Sequence, residues 1–229
     1  MVNINENTVS AENQMKNTSE VSFLGNPSAP VRILILGNSI TRHAPSADIG
    51  WFGDWGMAAS AMEKDYVHRL YEKLTNAGNQ VYMRIRQASY WERHFREDDV
   101  LSYFKDERDF GADLVIFRLC ENVPKDAKSE FREHLIQLIE YVCPSFGKTL
   151  FTTCFWQNSL VDNAITAVAE ARGEACVDLV YTDESMMAMG KFEHKGVSMH
   201  PSDLGMEWIA DQIALRIEDE RLIKIEKRI

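Results

Sequence analysis

The sequence has few cysteines, fewer basic than acidic residues, and no long apolar run. Its cysteines form no CxxC pair and no zinc-type array, so we expect reduced, buried thiols; they are Cys120, Cys143, Cys154 and Cys176. No apolar stretch approaches the ~20 residues of a membrane helix, which argues against a membrane protein. The 25 Lys and Arg against 35 Asp and Glu give a formal charge of -10, which argues against nucleic-acid and anionic-membrane partners.

The N-terminal segment is polar and is expected to lie outside the folded domain. Residues 1–20 are rich in Asn, Ser, Thr and Glu, with too few apolar groups to pack. We predict a flexible tail or linker over residues 1–28 and one domain over residues 29–229, a length that suits a single core. The segment also lacks the apolar core of a secretory signal, which predicts a cytoplasmic protein.

Strand patterns alternate with helical patterns along the rest of the chain. VRILILG, from Val31 to Gly37, is a β-branched and leucine run that ends in glycine, typical of a strand buried on both faces. Further strands are predicted at residues 80–87, 112–120, 148–156 and 175–182, and helices at residues 57–74, 128–142, 163–172 and 204–222. This alternation predicts an α/β protein, a three-layer αβα sandwich with a five-stranded parallel sheet.

Residues with catalytic chemistry follow three of these strands and precede the last helix. In such sheets, ligands bind outside the carboxyl ends of the strands. Ser39 follows the first strand in GNSITRH, and Asn122 follows the third in CENVP. The second strand leads into Ala88 and Ser89, whose small side chains allow close approach to the backbone. His200 precedes a proline, which disfavours helix and predicts a loop facing a cleft. No histidine has HExxH spacing, so no metal site is predicted.

In this order, the four pieces resemble the sequence blocks of the SGNH/GDSL hydrolase superfamily. GNS matches the block usually written GDS, which implies Ser39 as the nucleophile. CENV matches GxND and implies that the Asn122 side chain stabilises an oxyanion, together with the N–H groups of Ser39 and of Ala88 or Ser89. HP matches the end of the DxxHP block and implies His200 as the general base. The resemblance implies no cofactor.

The sequence departs from the family's pattern at three positions. Asn38 stands for the first-block Asp, Cys120 for the third-block Gly, and Val197 for the Asp that orients the histidine. Valine cannot accept the imidazole Nδ1 proton. Either a backbone carbonyl orients the ring, or a carboxylate arrives from elsewhere, with Glu193 and Asp183 as candidates near in sequence.

The resemblance implies a serine esterase that hydrolyses small acyl esters, with acetyl preferred, through an acyl-enzyme. Four tryptophans predicted near the strand ends would suit stacking on sugar rings, which favours an acetylated carbohydrate as substrate; they are Trp51, Trp55, Trp91 and Trp156. The stretch from Gly50 to Leu70 is similar to bacterial members of unassigned substrate, a GNSI-type esterase or acetylesterase subgroup. The alternative is a non-catalytic carbohydrate-binding protein on the same fold. A nucleotide binder is disfavoured because the sequence has neither GxxxxGKS/T nor GxGxxG.

Overall fold

Six strands form one sheet at the centre of the molecule. The computed structural model describes residues 21–179 and 183–223. The strands are Val21–Gly25 (β1), Val31–Gly37 (β2), Val81–Gln87 (β3), Leu114–Arg118 (β4), Lys148–Thr152 (β5) and Ala175–Val177 (β6). Their order across the sheet is β1-β3-β2-β4-β5-β6. The strands from β3 to β6 pair in parallel, as predicted, whereas β1 pairs with β3 in the antiparallel direction.

Helices and short 3-10 segments connect the strands. The α-helices are Tyr66–Asn76 (α1), Ser89–His94 (α2), Lys105–Phe110 (α3), Phe131–Val142 (α4), Ser159–Arg172 (α5), Lys195–Ser198 (α6) and Asp203–Asp219 (α7). The 3-10 segments are Ala47–Ile49, Met62–Lys64, Val100–Phe104 and Glu184–Met186. The short helices α2, α3 and α6 are absent from the sequence-based prediction. No helix in the described residues has the length and apolar character to cross a bilayer.

The two faces of the sheet bury different residues of the same strands, as the two-residue period of a strand requires. Leu34 and Phe117 lie on one face, in a core that α2, α4 and α5 complete. Ile33 and Ile116 lie on the other face, in a core that α1 and α7 complete. Helices therefore cover both faces, and the predicted three-layer αβα sandwich is confirmed.

The sheet has one strand more than the sequence predicts. β1 lies inside the segment predicted as a tail over residues 1–28, so that prediction is wrong for residues 21–25. Phe23 of β1 stacks on Tyr82 of β3 with ring centroids 5.5 Å apart, and the Arg84 guanidinium lies 5.2 Å from the Phe23 ring. These contacts with β3 stabilise β1 as a short edge strand, although the sequence before it is polar. Residues 1–20 lie outside the described residues, so the tail there stays a prediction.

The first helix is shorter than its apolar pattern. α1 begins at Tyr66 because the Asp65 side chain caps it, accepting a hydrogen bond from the His68 N–H over 2.8 Å. Residues 57–65 form a loop with one 3-10 turn, in which Met57 and Ala59 are buried. The prediction of helix from residue 57 is therefore wrong, because burial in a loop produced the apolar spacing.

Candidate active site

Ser39 and His200 meet at the carboxyl end of β2. The chain turns sharply after this strand, because the Asn38 carbonyl accepts hydrogen bonds from the N–H groups of Thr41 and Arg42. The turn leaves Ser39 partly exposed. Its Oγ lies 2.7 Å from His200 Nε2, within hydrogen-bond distance. The structure thus brings together two residues that are 161 positions apart in the chain.

A backbone carbonyl orients the histidine. His200 Nδ1 lies 2.7 Å from the Gly196 carbonyl oxygen in α6. Because a carbonyl only accepts, Nδ1 carries the proton and Nε2 is left to accept one from Ser39. The Glu193 side chain is exposed, and the Asp183 carboxylate accepts from the Ser185 N–H. The suggested roles of Glu193 and Asp183 are therefore wrong, and the backbone alternative describes this site.

Val197, at the position of the family's orienting Asp, faces away from solvent. It is 1% exposed and packs in a small apolar cluster with Trp51, Met57 and Ala188. A carboxylate there would be buried without a partner, at a cost of several kcal/mol. Val197 instead fixes the loop: the His200 N–H donates to its carbonyl over 3.0 Å.

The environment keeps His200 neutral. Burial of the imidazole lowers the pKa of His200 to about 4, although the bond to the Gly196 carbonyl acts in the opposite direction. The neighbouring His43 is buried, and burial lowers its pKa. A neutral imidazole with a free Nε2 lone pair is the form that a general base needs.

A buried carboxylate that the sequence analysis missed lies beneath this site. Glu92 of α2 is fully buried. Its Oε1 accepts from Asn38 Nδ2 over 3.0 Å and from the Cys120 N–H. Its Oε2 accepts from the Asn122 N–H over 3.3 Å and from the Asn122 side-chain amide. Glu92 therefore joins the turns after β2 and β4. The only signal in the sequence was an acidic residue amid the apolar and aromatic residues of YWERHF.

A second acidic residue explains why position 38 is Asn. Asn38 Nδ2 also donates to Glu121 Oε2 over 2.5 Å, so one amide bridges two carboxylates. An Asp at this position would face both of them with a third negative charge. Burial opposes ionisation of Glu121, but the Arg118 guanidinium, 2.6 Å away, holds the Glu121 pKa below its ordinary value. Burial and the nearby Glu121 raise the pKa of Glu92.

The Asn122 amide is held in one orientation. Its Oδ1 accepts from an Arg93 guanidinium nitrogen over 2.8 Å, while its Nδ2 donates to Glu92. An amide has two Nδ2 hydrogens, so one remains for another acceptor. The Ser39 N–H has no hydrogen-bond partner within the described residues. Of the oxyanion donors predicted from the sequence, these two are the ones that keep hydrogen-bonding capacity.

The second block does not supply the expected donor. The Ala88 N–H donates to the Gly37 carbonyl over 2.5 Å. The Ser89 N–H and hydroxyl both donate to Gln87 Oε1, over 2.7 and 2.8 Å. Both residues are buried, so the prediction of Ala88 or Ser89 as an oxyanion donor is contradicted in this structure. The Ala88 N–H, which the resemblance assigns to the oxyanion, instead joins the carboxyl ends of β2 and β3.

Only two of the four tryptophans remain candidates for contact with a substrate. Trp91 is 0% exposed and packs against Phe95 and Phe131, and Trp51 is 3% exposed and donates to the His43 carbonyl. The prediction of stacking surfaces is wrong for both. Trp55 is partly buried, and Trp156 lies edge-on to the His200 ring with centroids 5.2 Å apart.

Two thiols and one carboxylate have the chemistry of metal ligands. The ligand atoms of Cys120, Glu121 and Cys154 lie within 4.8 Å of one another. The two sulfur atoms are 2.7 Å apart, whereas two thiolates on one zinc ion lie about 3.7 Å apart. Glu121 is already paired with Arg118. The group therefore does not fit a metal ion and consists of two buried free thiols beside the Arg118–Glu121 ion pair.

Comparison with known proteins identifies the fold. No family profile and no curated protein sequence matches the chain. A two-domain esterase (CEX) active on acetylated mannans aligns with a TM-score of 0.53 at 19% identity, over 87% of this chain and 51% of that one. A family two carbohydrate esterase from Cellvibrio japonicus gives 0.51 at 13% identity, over 83% and 61%. A GDSL-like protein from Bacteroides ovatus ATCC 8483 gives 0.50 at 12% identity, over 82% and 98%.

The chain has the SGNH/GDSL hydrolase fold. Cys120, which the sequence resemblance aligns with a glycine, adopts a φ of 133°, a conformation that favours glycine. Its N–H is thereby aimed at Glu92. The turn after β4 is therefore held by a hydrogen bond from the Cys120 N–H to the buried Glu92 of α2. The assignment to a GNSI-type subgroup stays a prediction.

Proposed function

We propose that this protein is a serine esterase of the SGNH/GDSL type, with Ser39 as nucleophile and His200 as general base. The single observation that carries the proposal is the 2.7 Å contact between Ser39 Oγ and His200 Nε2, in a ring whose Nδ1 is held by the Gly196 carbonyl. This arrangement meets the requirement for an activated serine, a base within hydrogen-bond reach that a third group orients.

The reaction follows from these contacts as two acyl transfers. His200 Nε2 takes the proton of Ser39 as Oγ attacks the ester carbonyl, and the resulting oxyanion accepts from the Ser39 N–H and the free Asn122 Nδ2 hydrogen. His200 then gives its proton to the leaving alcohol, which leaves an acyl-enzyme on Ser39. Water then attacks that ester as His200 takes a water proton, and the carboxylic acid leaves while His200 returns the proton to Ser39 Oγ.

We further propose an acetylated carbohydrate as the substrate class. Two proteins of the same fold are carbohydrate-directed esterases, one of them active on acetylated mannans. Trp156 beside His200 and the partly buried Trp55 supply aromatic surface for a sugar ring. A sugar hydroxyl is the leaving group that His200 would protonate.

Intact-protein mass spectrometry with a fluorophosphonate probe tests the mechanism. We expect one adduct on the wild type, because a serine with an adjacent neutral base attacks phosphorus readily. Ser39→Ala should give none, while Ser102→Ala, at an exposed serine that contacts only its own turn, should label like the wild type. A folded wild type that takes no label would rule out the hydrolase and favour a carbohydrate-binding protein.

In the pH profile of kcat/KM, the loss of activity on the acidic side should occur at an unusually low pH. Only neutral His200 accepts the serine proton, and its pKa is lowered to about 4, so activity should fall by half near that pH rather than near 6.5. The same shift makes folding stability fall as pH drops below 6.5, since the unfolded chain then binds a proton that the folded ring refuses. Rates on an aryl acetate between pH 3.5 and 8, with circular dichroism to confirm folding, give the answer. A limb near pH 6.5 in folded protein would contradict the lowered pKa of His200.

A further inference from the structure

An arginine that forms no salt bridge with any carboxylate in residues 21–179 and 183–223 lies next to the proposed oxyanion site. Arg93 of α2 is half-buried, and one guanidinium nitrogen donates to Asn122 Oδ1 over 2.8 Å. A second nitrogen makes a long contact of 3.5 Å with the Ser89 carbonyl. A guanidinium has five N–H donors, so these contacts leave most of its donors available. Arg93 therefore combines a fixed position with unused hydrogen-bonding capacity.

The charge of Arg93 is not neutralised within the described residues. No carboxylate oxygen among them lies within the 4.0 Å of a salt bridge to Arg93. By contrast, Arg96, one turn further along the chain, pairs with Asp126 and Glu130 at 2.8 and 2.6 Å. The fully buried Arg118 pairs with Glu121 at 2.6 Å. In a chain with a formal charge of -10, acidic partners are plentiful, and Arg93 makes its close contact with a neutral amide.

The acidic residues on the side of the site, Asp48 and Glu92, form no salt bridge with Arg93. His43, which feels the Arg93 charge, is buried, and burial first, then Arg93, lowers its pKa. The Glu92 carboxylate on the other side of Asn122 is saturated by four N–H donors. A half-buried cation without a salt-bridge partner loses part of its hydration without gaining a directly bound counter-ion. An anionic group on a bound molecule would supply that counter-ion.

We propose that Arg93 selects ester substrates that carry a negative charge, such as the carboxylate of an acidic sugar. The inference rests on the proposed esterase function and narrows its substrate class. Holding the Asn122 amide requires only a donor, which a neutral side chain can supply, whereas a guanidinium fork binds a carboxylate through two parallel hydrogen bonds. Arg93 is thus a specificity residue as well as a positioning residue for Asn122.

Paired aryl acetates separate the two roles. The anionic probes are 3- and 4-acetoxybenzoate, and the neutral ones are the matching 3- and 4-acetoxybenzamides, each rate being divided by the spontaneous hydrolysis rate of the same ester. We compare wild type, Arg93→Met, Arg93→Lys and the control Arg132→Met, which removes an exposed charge of α4.

We expect Arg93→Met to lower the anionic-to-neutral ratio of kcat/KM by about 10- to 100-fold, mainly through KM, as for loss of a charge-assisted hydrogen bond. Arg93→Lys should restore part of the ratio, and Arg132→Met should leave it at the wild-type value. An equal loss on both esters in Arg93→Met, with an unchanged ratio, would show that Arg93 acts only through Asn122 and would overturn the proposal.

A binding measurement keeps the charge proposal separate from the esterase proposal. 4-Acetamidobenzoate and 4-acetamidobenzamide resemble the ester probes but are not cleaved, and calorimetry gives the affinity of each. The carboxylate should bind wild type more tightly than the amide, with the preference lost in Arg93→Met. Hydrolysis of neutral esters without this preference overturns only the Arg93 proposal. The preference without hydrolysis of any ester supports anion recognition and overturns the esterase.

Discussion

Replacing His200 by alanine should lower kcat for an aryl acetate by about 10⁶-fold, as for loss of the catalytic histidine of a serine protease. His200 is the only described base in contact with Ser39 Oγ, at 2.7 Å, and an alanine leaves the hydroxyl with no group to take its proton. The residual rate should come from the oxyanion donors and binding alone. Single-turnover measurement of acyl-enzyme formation is the direct test, because it isolates the step in which the proton moves.

The matched control is His134→Ala on α4, where the ring packs on Phe95 with centroids 4.8 Å apart and lies outside the site. It should keep wild-type kcat with a small loss of stability. A His200→Ala enzyme within tenfold of wild type, with unchanged circular dichroism, would mean that another group activates Ser39. The mechanism proposed above would then be wrong.

Replacing Glu92 by alanine should cost about 3–5 kcal/mol in the free energy of unfolding and also reduce kcat by about 10²–10³-fold. The stability loss arises because donors from Asn38, Cys120 and Asn122 become unpaired in a buried place. Relief of repulsion with Glu121 offsets a part of it. The rate falls because the Asn122 amide loses the contact that sets its orientation, which amounts to loss of one oxyanion donor.

Urea unfolding and steady-state kinetics measure the two effects in one preparation. Glu140→Ala, at an exposed position of α4, removes the same functional group and should change stability by less than about 0.5 kcal/mol. Asn38→Asp should also destabilise the protein, since it places a third carboxylate against Glu92 and Glu121. A Glu92→Ala protein as stable as Glu140→Ala would contradict the role given to the buried network.

The sequence predicts the sheet and the proposed dyad because both depend on local patterns. A continuous apolar run such as Val31–Gly37 marks a doubly buried strand, and Ser39 and His200 are recognisable from the short motifs that flank them. The edge strand Val21–Gly25 was missed because its stability comes from pairing with β3, a non-local contact. The three short helices were missed because each has too few residues to show a period.

The interior of the site could not be derived from residue types. Glu92 carries no motif, and its importance comes from four donors that arrive from two distant turns. The same limit applies to Ala88 and Ser89, which have the small side chains that an oxyanion loop needs. Their N–H groups donate to the Gly37 carbonyl and to Gln87 Oε1 instead. Hydrogen-bond partners are a property of the folded backbone, which a motif does not specify.

Because a backbone carbonyl orients His200, the orienting group cannot be removed by a point mutation. In a triad, one codon change removes the orienting carboxylate, but no codon change removes a main-chain oxygen. A side chain at position 196 would meet His194 Cε1 at 2.9 Å, so the exposed His194 side chain would have to move. Substitutions can change the proposed dyad by altering the path of this loop, for example at Val197, which packs in an apolar cluster. Substitutions at Val197 or His194 would change the basicity of His200 in small steps. Loss of a triad Asp would change it in one step.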